Sequence, residues 1–102
     1  MNVVAYRTVR TFIAAYPESE TVMRDWYNAL SKLEPQNFAE LKALFPSVDA
    51  VQQKDGTIAF IFNLGGNKYR VVIRIDFEYK VAFILFVFTH TQYDKWNKRG
   101  RR

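Results

Sequence analysis

Lys68-Tyr69-Arg70-Val71-Val72-Ile73-Arg74-Ile75-Asp76-Phe77-Glu78-Tyr79-Lys80-Val81-Ala82-Phe83-Ile84-Leu85-Phe86-Val87-Phe88-Thr89-His90 decides the fold. Its first ten residues alternate: Tyr69, Val71, Ile73, Ile75 and Phe77 share one side, and Lys68, Arg70, Val72, Arg74 and Asp76 the other. That period of two is a strand with one face turned to a core. Glu78-Tyr79-Lys80 is a short turn, and Val81 to Thr89 is an almost unbroken apolar run. Such a run marks a strand at the centre of a sheet or covered on both faces. The two strands should pair antiparallel, placing Tyr69 opposite about Thr89 and Arg70 close to His90.

Upstream, Gly65-Gly66 turns the chain into this hairpin from another β-branched and aromatic run, Thr57 to Phe62. Asp55-Gly56 before that run is a hairpin turn signal, following a short strand around Val48 to Gln52. The first half of the chain has helical spacing instead. Val9, Phe12, Ile13 and Tyr16 form one stripe, broken at Tyr16-Pro17, and Val22, Trp26, Ala29, Leu30 and Leu33 form the next. Asn37-Phe38-Ala39-Glu40 has the spacing of a capping box and opens a third helix that stops at Phe45-Pro46. The expected architecture is α+β. Helices over residues 8–16, 19–33 and 38–45 pack on one face of a small antiparallel sheet spanning 48–90, and a basic tail covers 94–102.

The chain's 102 residues suit one domain, and 49% hydrophobic residues can supply its core. Absence of cysteine excludes disulfides and thiolate metal sites, and one histidine makes an all-protein zinc site a poor expectation. No cofactor or metal is expected. Met1 to Arg7 does not read as a secretory signal, and the longest apolar run is far shorter than the ~20 residues a membrane helix needs. A soluble, cytoplasmic protein is the expectation. The net charge is +5, and the end of the chain holds Lys95, Lys98, Arg99, Arg101 and Arg102. This favours a polyanionic partner, or simply a solvated terminus.

His90 beside Arg70 suggests chemistry on a phosphodiester, because neighbouring cations favour a neutral, proton-accepting imidazole. The blander alternative is a strand-end histidine bonded for structural reasons. Trp96 either stacks on a base or covers the edge of the sheet. Trp26 and Phe38 fit core positions.

At these residues the chain resembles the HigB-type toxins of bacterial type II toxin–antitoxin pairs, within the RelE-like ribonuclease superfamily. The resemblance rests on Phe62-Asn63-Leu64-Gly65-Gly66-Asn67-Lys68-Tyr69-Arg70-Val71-Val72, on the closing Thr89-His90, Tyr93 and Asp94, and on Leu41 to Asp49. It covers roughly residues 35 to 96. It implies a RelE-like fold and a ribosome-dependent mRNA endonuclease that works without metal by 2′-hydroxyl attack. A helix-turn-helix antitoxin of the HigA kind would neutralise it, with a higher-order complex on operator DNA as a further possibility. Under that reading His90 transfers protons, Arg70 and Lys68 stabilise the phosphorane, and Tyr93 assists proton transfer or stacks a base. Arg74, Lys95, Lys98, Arg99, Arg101 and Arg102 would contact RNA. A non-catalytic nucleic-acid-binding protein and a gyrase-poisoning toxin on the same fold remain alternatives.

Overall fold

The computed structural model describes residues 1–99. Five strands, β1 (Asn2–Val4), β2 (Asp49–Gln52), β3 (Ile58–Leu64), β4 (Tyr69–Asp76) and β5 (Val81–Thr89), form one sheet in the order β1-β5-β4-β3-β2. Helices α1 (Tyr6–Ala15), α2 (Glu20–Ser31) and α3 (Phe38–Leu44) precede most of it, and α4 (His90–Lys98) follows. The β2–β5 meander is antiparallel, as its turn signals require. Among the described residues no helix is long and apolar enough to cross a membrane.

The alternation in β4 works as read. Tyr69, Val71 and Ile73 are buried with Ile75 beside them, in a core completed by Val9 and Phe12 of α1, Met23, Trp26 and Leu30 of α2, and Leu41 of α3. The three N-terminal helices therefore cover one face of the sheet. Their boundaries shift slightly from expectation. Pro17 ends α1 one residue early, since it disfavours helical geometry at Tyr16. The chain leaves α2 at Ser31, two residues short of Leu33, where the Met1 ammonium takes the carbonyls of Ser31 and Leu33 at 3.1 and 2.7 Å. The Ser31 carbonyl is one that a helix end leaves without an intrahelical partner, and the Leu33 carbonyl lies just beyond it. Asn37 caps α3 by accepting the Glu40 N–H at 3.0 Å, but Glu40 reaches back to Gln36 N–H rather than to Asn37.

Two elements correct the expected plan. β1 is an edge strand that the helical reading of the first third missed, and it pairs parallel to β5, Asn2 with Val81 through Val4 with Phe83. The residues after Thr89, read as the approach to a basic tail, form α4. This helix packs on the face opposite α1–α3. There Trp96 is buried against Ala59, Ile61 and Val72, with Phe86, Phe88 and Tyr93 around it. The apolar run of β5 is thereby explained: Ala82, Ile84 and Val87 serve the first core, and Leu85, Phe86 and Phe88 the second.

The pairing of β4 with β5 puts Tyr69 opposite Thr89 as expected, although the turn spans four residues, 77–80, with Asp76 facing Val81, so that the turn alone would have set Phe88 opposite Tyr69. It then shifts by one residue, because Val72 faces Phe86 while Ile73 faces Ile84. Leu85 is the extra residue of a bulge, which adds local twist where α4 crosses the sheet. The β3–β4 turn needs its glycines. Gly65, Gly66 and Asn67 all have positive φ, and a Cβ at Gly65 would come within 3.1 Å of the Tyr69 ring. Asparagine tolerates that region better than most residues, which accounts for Asn67.

Candidate functional site

The C-terminal end of β5 passes directly into α4 through a full capping box. Thr89 Oγ1 accepts the Gln92 N–H at 3.2 Å, and Gln92 Oε1 accepts the Thr89 N–H at 2.9 Å. His90 is thus the first residue of the helix, and its own N–H is donated to the carbonyl of Lys68 at 2.9 Å. Helical spacing puts His90, Tyr93 and Asp94 on one side of α4, three and four residues apart.

Arg70 lies beneath this side. It is only 7% exposed, yet it is on the face away from α1–α3, so its burial comes from α4 and the turn. Its guanidinium donates to the carbonyls of Asn67 (3.0 Å) and Tyr69 (3.2 Å) and to His90 Nδ1 (3.0 Å). Its central carbon sits 5.6 Å from the Tyr93 ring centre, a cation–π distance. Among the described residues no carboxylate pairs with Arg70. A buried cation held only by neutral groups is electrostatically incomplete, and an incoming anion would complete it.

The histidine's two nitrogens have different partners. A guanidinium can only donate, so Nδ1 accepts, and Nε2 carries the proton that it shares with Asp94 Oδ2 at 3.2 Å. For a neutral ring this arrangement selects the Nε2–H tautomer. It also leaves the ring's basic lone pair covered by Arg70. His90 and Asp94 are 53% and 51% exposed, so solvent weakens their pairing and it orients more than it stabilises.

The model of a protein family described as HigB_toxin, the RelE-like toxic component of a toxin–antitoxin system, matches residues 19–96. The chain belongs to this toxin family. The mRNA interferase toxin HigB of Escherichia coli (strain K12) is 32% identical over 92% of this chain and 88% of its own length. The mRNA interferase HigB of Shigella flexneri matches to the same degree. A second E. coli protein of that name, from strain CFT073, is 22% identical over 99% of this chain and 96% of its own. Membership implies an antitoxin partner.

The toxin's fold brings together three of the four residues named for catalysis: Arg70, His90 and Tyr93. The fourth, Lys68, is exposed in the turn just before β4, and its backbone rather than its side chain is seen to hold His90. Arg74 is not part of this cluster. It stacks over Phe83 at 5.5 Å, one period of four residues down β4, about 13 Å from Arg70 by strand rise. Of the cations assigned to the tail, Lys95 and Lys98 are in α4 and Arg99 directly follows it. Lys95 and Arg99 border a cleft of about 430 Å³ floored by Phe86, Phe88 and Trp96. Arg101 and Arg102 lie outside the described residues.

Trp96 is core cover rather than an open stacking platform, being 7% exposed. Asp94 is the site residue that sequence reasoning left without a role. Its signal was present: Thr89-x-x-Gln92 is a capping-box pattern, and a helix starting there puts Asp94 four residues after His90.

Proposed function

We propose that this toxin is a cytoplasmic mRNA interferase that cuts ribosome-bound transcripts at the cluster of Arg70, His90 and Tyr93. The observation that carries it is the buried Arg70 guanidinium, paired with no carboxylate among the described residues and bonded to an imidazole. Cation and base side by side are what transesterification of RNA demands, because charge accumulates on the phosphate as the 2′-hydroxyl loses its proton. His90 takes that proton, the 2′-oxygen bonds to phosphorus, and the P–O5′ bond breaks. Tyr93 gives a proton to O5′ and regains one by way of solvent from the imidazolium. The products are a 2′,3′-cyclic phosphate and a 5′-hydroxyl, with no net proton consumed and no metal required. Lys68, exposed beside the site, adds charge to the phosphorane.

An in vitro translation reaction tests this by mapping mRNA 5′ ends with and without the toxin. New ends should appear within reading frames, and only on transcripts that ribosomes occupy. Translation arrest with intact transcripts would replace the nuclease with a non-catalytic nucleic-acid binder. Unaffected translation with blocked gyrase supercoiling would point to the gyrase-poisoning alternative.

The cations of α4 supply positioning. Lys95, Lys98 and Arg99 contact ribosomal or messenger RNA phosphates, and Arg74, Arg101 and Arg102 add charge that favours the same polyanion. Replacing Lys95 and Arg99 together by glutamine should weaken ribosome binding and flatten its salt dependence. Each lost phosphate contact on a single strand is worth about 0.7 in the slope of log K against log salt. The cut sites should stay the same, since phosphate contacts position a protein and base contacts choose sequence. An unchanged salt slope would make these residues solubilising only. We further assign the antitoxin to the helix-turn-helix HigA kind, able to carry the toxin into a complex on operator DNA.

A further inference from the structure

The geometry around His90 contains a contradiction if it is read as a ready catalytic site. A base needs a free lone pair, and the ring has just one, on Nδ1. That lone pair is occupied by Arg70, the group that must also hold the phosphate. Nε2 offers no alternative, because a ring presenting Nε2 as acceptor would carry its proton on Nδ1, pointed at the guanidinium. The resting cluster is therefore saturated by its own members.

We propose that the toxin's base is released by its substrate. The scissile phosphate engages Arg70, the guanidinium gives up its bond to Nδ1 in favour of the phosphate oxygens, and the uncovered Nδ1 accepts the 2′-hydroxyl proton. Asp94 is the positioning residue. By accepting the Nε2 proton it preserves the one tautomer whose lone pair is on Nδ1, and it holds the ring at the site once Arg70 lets go. Exchange of a neutral acceptor for an anionic one favours the switch, since the guanidinium fork can meet two phosphate oxygens of opposite charge where the ring offers one neutral nitrogen. Without RNA the site stays closed to adventitious proton transfer. This inference deepens the RNA-cleaving reading above and rests on it.

Two-bond ¹H–¹⁵N correlation spectra of the imidazole of the full-length toxin read the tautomer directly. The free protein should show the Nε2–H form with a hydrogen-bonded Nδ1. Saturation with a 2′-O-methyl RNA oligonucleotide, which binds but cannot be cut, should keep the Nε2–H form and move Nδ1 towards an unbonded ring nitrogen. Asp94→Ala should mix the two tautomers in the RNA-saturated protein, where Arg70 no longer covers Nδ1, and lower kcat on the order of 10-fold with KM nearly constant. Asp94→Asn, whose amide oxygen can still accept from Nε2, should recover most of both. Asp94 is half exposed, so both variants should fold with little change in Tm.

An Nδ1–H tautomer in the free protein overturns the inference, as does an Nδ1 signal that does not move when the Arg70 guanidinium N–H signals shift on saturation. Wild-type turnover in Asp94→Ala, with Nε2–H retained in the RNA-saturated protein, removes Asp94 from the device. These results are separable from failure of the nuclease reading, which is judged by whether the wild-type toxin generates new mRNA ends at all.

Discussion

Replacing His90 by alanine should lower mRNA cleavage on the order of 10²-fold or more and relieve growth inhibition, while the thermal transition stays close to that of the wild type. The size follows from removing the group that moves the proton in the transition state, which is typically worth 10²–10⁴-fold. The unchanged stability follows from position. The His90 side chain is half exposed and contributes one bond to Arg70 and one to Asp94, while its backbone bond to Lys68 survives the substitution. The check is turnover in a translation reaction beside a melting curve of the same preparation. A folded His90→Ala protein with full toxicity would move the base elsewhere, to Lys68, Tyr93 or Lys95.

Trp96→Ala should also abolish toxicity, for the opposite reason. Trp96 has its ring centre 5.7 Å from those of Phe86, Phe88 and Tyr93, and it packs on Ala59, Ile61 and Val72. Truncating a buried tryptophan costs about 3–5 kcal/mol through lost transfer energy and the cavity left behind. For a domain of this size each kcal/mol is worth roughly 4–8 °C, so a fall of more than about 10 °C in Tm is expected. The consequence reaches the site, because Trp96 is what ties α4 to the sheet and α4 is what holds His90 and Tyr93 over Arg70. Trp96→Phe should restore part of both stability and toxicity. If Trp96→Ala melts like the wild type, α4 does not depend on this second core, and an inactive but stable variant would mean that Trp96 contacts RNA itself.

These two variants separate a residue that does chemistry from one that builds the place for it, and that difference parallels what could be read in the chain. The sheet and the Arg70–His90 neighbourhood were legible because both rest on counting. A period of two fixes which side chains share a face, and a short turn brings the two strands together, although the four-residue turn 77–80 and the bulge at Leu85 each move the register by one and cancel at Tyr69 and Thr89. The same arithmetic separates Arg74 from the cluster, since four residues of strand are about 13 Å. The bulge at Leu85 was not legible, as one more apolar residue in an apolar run changes nothing in the pattern. β1 was not either. Three residues carry no period, and its partner Val81–Phe83 lies about eighty positions away in sequence.

By itself the sequence determined the strands, their facing residues, the helical first half and the chemistry available near position 90, because those depend on local spacing and side-chain type. Tertiary structure decided which cation became buried, which stayed in solvent and which nitrogen of the imidazole faces the guanidinium. Arg70 and Arg74 are the same residue on the same face of the same strand. Only Arg70 lies under α4, where the turn carbonyls, the Tyr93 ring and His90 replace water around its guanidinium, and where no carboxylate among the described residues supplies a counter-charge. Burial and charge balance are sums over groups brought from distant parts of the chain, so no local pattern can carry them.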